Sequence, residues 1–164
     1  KKRARAASLV IAFEKSIGVV LFRNDEDGIK YLLLHYPSGH WDFPKGHGEK
    51  GEEDKETLRR ELAEETGIQD LVIIPVFKSQ TRYFYLAKDG EREKRKASGK
   101  RTAIFKKVIY YLAKTQISQV KLSFEHIGFK WLQYDQALER ITYQNSRNVL
   151  TEAQEFLDEN KEID

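Results

Sequence analysis

The chain is expected to fold as an α/β/α sandwich, a mixed β-sheet with helices on both faces. Three observations lead there. Apolar runs of strand character alternate with stretches of helical spacing along the 164 residues. The segment 46–68 joins a loop carrying Gly46, Gly48 and Gly51 to a helix that is acidic on one side and apolar beside it. The final segment, 147–159, places Val149, Leu150, Ala153, Phe156 and Leu157 on one helical side, ready to cover a sheet.

Taken in order, residues 8–22 are rich in valine, isoleucine and phenylalanine and read as a strand, open to interruption near Lys15. A turn over 24–28 leads to a second strand at 29–36. Residues 37–51 form a loop that enters the acidic helix. A strand is expected at 71–77, followed by a hairpin pairing 80–87 with 105–114. A short strand at 125–132 and helices at 135–141 and 147–159 complete the chain. No internal repeat is visible.

The acidic helix carries the chemistry. Glu61, Glu64 and Glu65 stand at offsets of three and four residues, which puts them on one helical face with Cβ atoms roughly 5–6 Å apart. Like charges that close destabilise a helix unless a cation neutralises them. A cluster offering only oxygen suits a hard divalent ion such as Mg2+ or Mn2+, which in turn carries phosphates. Glu52 and Glu53 lie where negative charge offsets the positive helix end. Leu58 and Leu62 form the apolar stripe that presses the helix onto the sheet. Gly67 falls where a helix commonly stops in a left-handed conformation. Arg60 can pair with Glu64 or steady Glu52 across the loop. The expected unit is a rigid loop–helix–loop with its metal-binding face preset.

In this stretch the chain resembles the Nudix hydrolases. Their signature is matched at all nine specified positions: Gly46, Glu52, Arg60, Glu61, Leu62, Glu64, Glu65, Gly67 and Ile68. A solvated surface helix, the usual fate of a charge run, explains neither the glycines nor the spacing. The resemblance implies the same α/β/α sandwich, with the loop–helix–loop as its catalytic motif. Upstream, the run Trp41-Asp42-Phe43-Pro44-Lys45-Gly46-His47, and downstream Glu125-His126 followed by Phe129 and Trp131-Leu132, look like the asymmetrical diadenosine tetraphosphate hydrolases. That group splits the tetraphosphate bridge into ATP and AMP.

What the resemblance implies for individual residues follows from charge. Glu64 and Glu65 would coordinate the ions, with the Gly46 carbonyl and Glu125 completing the shell. Glu61, held by Arg60, would take the proton of the attacking water or bind a further ion. Glu52 belongs to the catalytic set as the partner of Arg60. His40 and Lys45 are the phosphate candidates on the loop. Tyr83 and Phe129 match aromatic positions that sandwich a base in the family, with phenylalanine here where tyrosine is frequent. Stacking of that kind contributes on the order of 1–3 kcal/mol per base. Trp41 and Trp131 are read as packing residues, and no histidine is given a metal role.

One segment departs from the family. Between 88 and 107 there are nine lysines and arginines against three acids, although the whole chain carries only +3. The expectation is a long, mobile, solvated hairpin tip, with a basic flap that gathers phosphate-rich ligand as its functional alternative. Lys107, on the return strand, is the member expected to reach the substrate. The flap keeps two rivals in play: an RNA 5′-pyrophosphohydrolase gripping a transcript end, and a Nudix domain that binds nucleotide or RNA without catalysis.

Composition narrows little else. The length fits one domain over 1–164 with a sizeable core. No run approaches a membrane span, and the basic start lacks the apolar core of a secretion signal. With no cysteine there is neither disulfide nor thiolate metal site, which fits a reducing cytoplasm. The absence of an initial methionine leads us to expect residues before Lys1. A cytoplasmic monomer acting on a small dinucleotide is the reading.

Overall fold

The computed structural model describes residues 10–163. Strand β1 (Ile11–Asp25) is the spine of the sheet. It runs parallel to β6 (Ala103–Lys114) from Ile11 to Phe22 without the break expected at Lys15. The turn after Asp25 is tighter than expected: β2 (Gly28–His35) begins three residues later and returns antiparallel to β1. On the other side of β6 lies β5 (Val72–Leu86), antiparallel. The order β3-β2-β1-β6-β5 is therefore mixed in direction.

β5 merges two strands that the sequence separates. Pairing with β6 shifts register between Ile73 and Lys78, an irregularity that re-aims the strand while keeping it continuous. Short pieces fill the expected loop: β3 (Trp41–Asp42) pairs with β2, and β4 (Lys45–His47) pairs with Ser16–Gly18 of β1. Beyond Tyr31, β2 takes β7 (Gly128–Leu132) as its neighbour. Residues 125–127, expected in that strand, lie in the turn before it.

Alternation along β1 divides the core. Val20 and Phe22 pack with Phe43, Tyr110 and the apolar side of α4 (Gln144–Glu159), beside α3 (Tyr134–Arg140). Ile17, Val19 and Leu21 face Leu58 and Leu62 of α1 (Asp54–Thr66). One sheet thus has helices on both faces, which is the expected sandwich.

The hairpin tip differs most from expectation. Residues Asp89–Ala97 form a helix, α2, instead of a loop, and none of its residues is buried, so the expected solvation holds. One of its bases is tied back to the sheet: Arg95 Nη2 donates to Glu14 Oε1 at 2.6 Å, and Arg95 Nε donates to the Arg101 carbonyl. Acids in its first turn and bases in its last suit the helix dipole.

Candidate active site

α1 ends as its sequence requires. Gly67 adopts φ 75°, and its N–H bonds the Ala63 carbonyl. Thr57 Oγ1 donates to Glu52 Oε1 at 2.6 Å, and the Glu49 N–H donates to the same oxygen. Arg60 completes the clamp from the helix, giving Nε to Glu52 Oε2 at 2.8 Å and Nη2 to the His47 carbonyl at 2.8 Å. The Arg60 contact, the Thr57 hydroxyl and the Glu49 amide hold the Glu52 carboxyl down to about 2. Arg60 and Glu52 therefore fasten the loop to the helix.

Gly46 is where backbone and carboxylate meet. A Cβ placed there would come within 2.0 Å of the Glu61 carboxyl carbon. No other residue permits that approach. Glu65 lies beside it, 4% exposed, with the Lys45 N–H as a backbone donor. Its Oε2 is buried without a hydrogen-bond partner. Burial, then the charges of Glu61 and Glu125, push the Glu65 carboxyl up to about 8. Glu61 is shifted the same way, by burial first and then by Glu64 and Glu125 against the pull of Arg60. Glu125 sits on an exposed turn, yet its charge reaches both acids.

The carboxylate face is not preset as expected. Among the described residues no three acidic or histidine side chains are gathered as a closed metal-holding group. Arg60 Nη1 lies 2.9 Å from Glu61 and 3.3 Å from Glu64, so one guanidinium already engages both of these carboxylates. The chemistry of the donors nevertheless suits a hard cation. An orphaned buried oxygen and mutually raised acids both mark a place where positive charge would be stabilised.

On the opposite face of the sheet a cleft of about 560 Å3 opens between β5, β6, the loop of Asp42 and Lys45, and the start of α4. His40 and Lys45 line it as the sequence led us to expect, and so does Tyr83. Lys45 Nζ donates to Asp42 at 3.1 Å. Burial works against the Lys45 charge, but Asp42 and the phenols of Tyr110 and Tyr83 outweigh it and raise its pKa. His40 stacks on Tyr36 with ring centres 4.5 Å apart, and burial lowers its pKa. Tyr83 lies beside Tyr85 at 5.8 Å.

Two expected partners stand elsewhere, for reasons of strand parity. Phe129 is opposite Leu34, whose side chain packs on the α1 side, whereas Tyr83 packs with the other core. These two rings do not face one another across a base. Lys107 is opposite Arg82 and Lys15, also on the α1 side. Its neighbour Lys106 pairs with Tyr83, and the charges of Lys45, Glu14 and Glu91 act on it. Of Lys106 and Lys107, it is therefore Lys106 that stands on the cleft side. Sequence reasoning also missed Asp42, Tyr85, Glu91 and Tyr143 as cleft residues. The period of two from Thr81 through Tyr83 to Tyr85 was the available signal for one of them. Nothing local in the sequence signals Tyr143 or Glu91.

A family model described as the NUDIX domain matches residues 12–153. The chain belongs to the Nudix family. Among Nudix relatives, the bis(5′-nucleosyl)-tetraphosphatase [asymmetrical] of Sus scrofa is 34% identical over 155 residues, covering 87% of this chain and 95% of the relative. The protein of that name from Caenorhabditis elegans is 32% identical over 146 residues, covering 87% and 96%. A crystal structure of a C. elegans Ap4A hydrolase binary complex superposes with a TM-score of 0.70 at 32% identity, covering 88% of this chain and 98% of that one. The Nudix sandwich is thereby established for this chain.

Proposed function

We propose that the protein hydrolyses dinucleoside polyphosphates asymmetrically, cutting diadenosine tetraphosphate to ATP and AMP. The observation that carries this is the buried Glu65 carboxylate, with its Oε2 unpartnered, beside Glu61 at Gly46, in a chain resembling asymmetrical tetraphosphatases along most of its length. Glu61, Glu64, Glu65, the Gly46 carbonyl and Glu125 are the groups that would hold a divalent cation, Mg2+ or Mn2+. Bound there, such an ion supplies charge neutralisation for the phosphates and a more acidic water.

The chain's own residues do the rest. Water oxygen attacks a bridging phosphorus, the P–O bond to the leaving nucleotide breaks, and the water's proton passes to the Glu61 carboxylate. Arg60 holds Glu61 toward Gly46 and ties the loop through Glu52. Lys45 and Lys106 offer positive charge to the phosphates, and His40 offers a ring nitrogen that Ser38 orients at 2.6 Å. Tyr83 and Tyr143 supply flat walls for an adenine in the cleft. Asp42 keeps Lys45 aimed along that wall.

The test is to incubate the protein and Mg2+ with diadenosine tetraphosphate and, separately, with a 5′-triphosphate RNA. ATP and AMP in equal amounts are expected. Pyrophosphate released from the RNA, with the dinucleotide untouched, would transfer the assignment to RNA 5′ ends. Nucleotide binding without turnover would make this a non-catalytic Nudix domain.

A further inference from the structure

The outer part of the sheet carries a second surface that the hydrolysis reading does not use. Beyond α1, strands β1, β6 and β5 continue as a three-stranded arm. α2 packs on the cleft side of that arm through Arg95–Glu14 and Glu91–Tyr85. On the other side no helix among the described residues covers it. There Phe13, Phe105 and Phe84 lie directly opposite one another on the three strands. Phe13 is 77% exposed and Phe84 48%, and the Phe13 and Phe105 rings are 5.8 Å apart. Leu86 extends the patch at its outer end.

The next row inward on the same face is basic. Lys15, Lys107 and Arg82 are aligned across the same strands, two residues from the three rings. That separation is about 7 Å along a strand. Lys15 is tied at 2.7 Å to Asp54 of α1, which leaves Lys107 and Arg82 as the cations of this row without a carboxylate among the described residues. Exposed aromatic rings side by side with a line of cations make a stacking platform with its own phosphate rail. A purely apolar patch would suit a protein partner; the adjoining cations favour a ligand that is flat and anionic by turns.

We infer that this face binds single-stranded RNA, with bases on Phe13, Phe105 and Phe84 and phosphates on Lys107 and Arg82. Gln80, exposed one row further on, presents an amide to the ribose 2′-hydroxyls that DNA lacks. The surface is separate from the cleft and from the acidic helix face, so the inference does not depend on the reaction proposed above.

Fluorescence anisotropy with an unstructured, labelled ten-nucleotide RNA tests it. The intact protein is expected to bind, and the double substitution Phe13→Ala, Phe84→Ala to weaken binding about tenfold or more. Arg82→Glu should weaken it too and make the salt dependence shallower by about one phosphate contact. Both variants should retain the thermal unfolding profile and diadenosine tetraphosphate turnover of the parent. Absence of RNA binding by the parent, undiminished binding by the phenylalanine variant, or equal affinity for DNA of the same sequence would each overturn the inference.

Discussion

Glu65 and Gly46 set the strictest demands on individual side chains. Replacing Glu65 by Gln keeps its size and the amide contact from Lys45 but removes the charge. Turnover of the dinucleotide by Glu65→Gln is expected to fall by at least about a hundredfold, the scale of losing a positioned charged group. Its affinity for nucleotide, measured by calorimetry, should stay within a few-fold of the parent. Full activity in this variant would remove Glu65 from the site. Gly46→Ala tests the backbone approach instead. Its methyl would collide with the Glu61 carboxyl rather than with the far end of a free side chain, because Arg60 fixes that carboxyl. The variant should fold, since the added methyl meets only side-chain atoms of Glu61 and no backbone, yet lose most of its turnover. A variant as active as the parent would show that Glu61 works equally well away from Gly46.

At the scale of elements, the part of the site built from one continuous segment was legible, and the part built across strands was not. The spacing of Glu52, Arg60, Glu61, Glu65 and Gly67 encodes loop, clamp and helix end within a single run of chain, so each could be placed beforehand. Phe129 and Lys107 required knowing which face each strand turns to the cleft. That depends on pairing partners distant in sequence and on the irregularity between Ile73 and Lys78. The helix within 88–107 was missed because such charge density suggests irregular chain, although the solvent exposure it also suggests is what α2 shows. Its helix is held instead by a long-range contact, Arg95 to Glu14, separated by 81 residues. The helix so tied carries Glu91, which accepts a hydrogen bond from Tyr85 at the cleft. Arg95→Ala should therefore raise KM for the dinucleotide several-fold with kcat little changed, and speed amide exchange across Asp89–Ala97. Unaltered exchange there would mean that α2 is held by other contacts. Lys106→Ala should also raise KM, by roughly tenfold for one lost phosphate contact to a charged group; an unchanged KM would leave Lys45 as the cleft's phosphate cation.

For the whole molecule, the buried acid couples folding to pH, and under the proposed function it would couple folding to metal as well. The folded pKa of Glu65, about 8, lies above its ordinary value of 4.5. Between those values the folded protein keeps a proton that the unfolded chain has released. The resulting stabilisation is complete below 4.5 and is lost as pH rises through about 8. Glu61 is raised too, so it acts with the same sign. Without divalent ions, stability should fall with rising pH, by at most about 1.4 kcal/mol per unit for one proton. A cation bound at the proposed site would replace that proton, and a ligand that binds only the folded state stabilises it by mass action. Mg2+ should therefore raise Tm more at pH 8 than at pH 5, where the proton competes with it. Glu65→Gln should flatten the metal-free profile and shrink the Mg2+ effect together, because one carboxyl is responsible for both. Calorimetric scans at the two pH values, with and without Mg2+, measure this directly. A parent protein whose metal-free Tm climbs steadily from pH 5 to 8 would show that other groups outweigh this acid, and a Mg2+ gain that ignores pH would place the ion away from it.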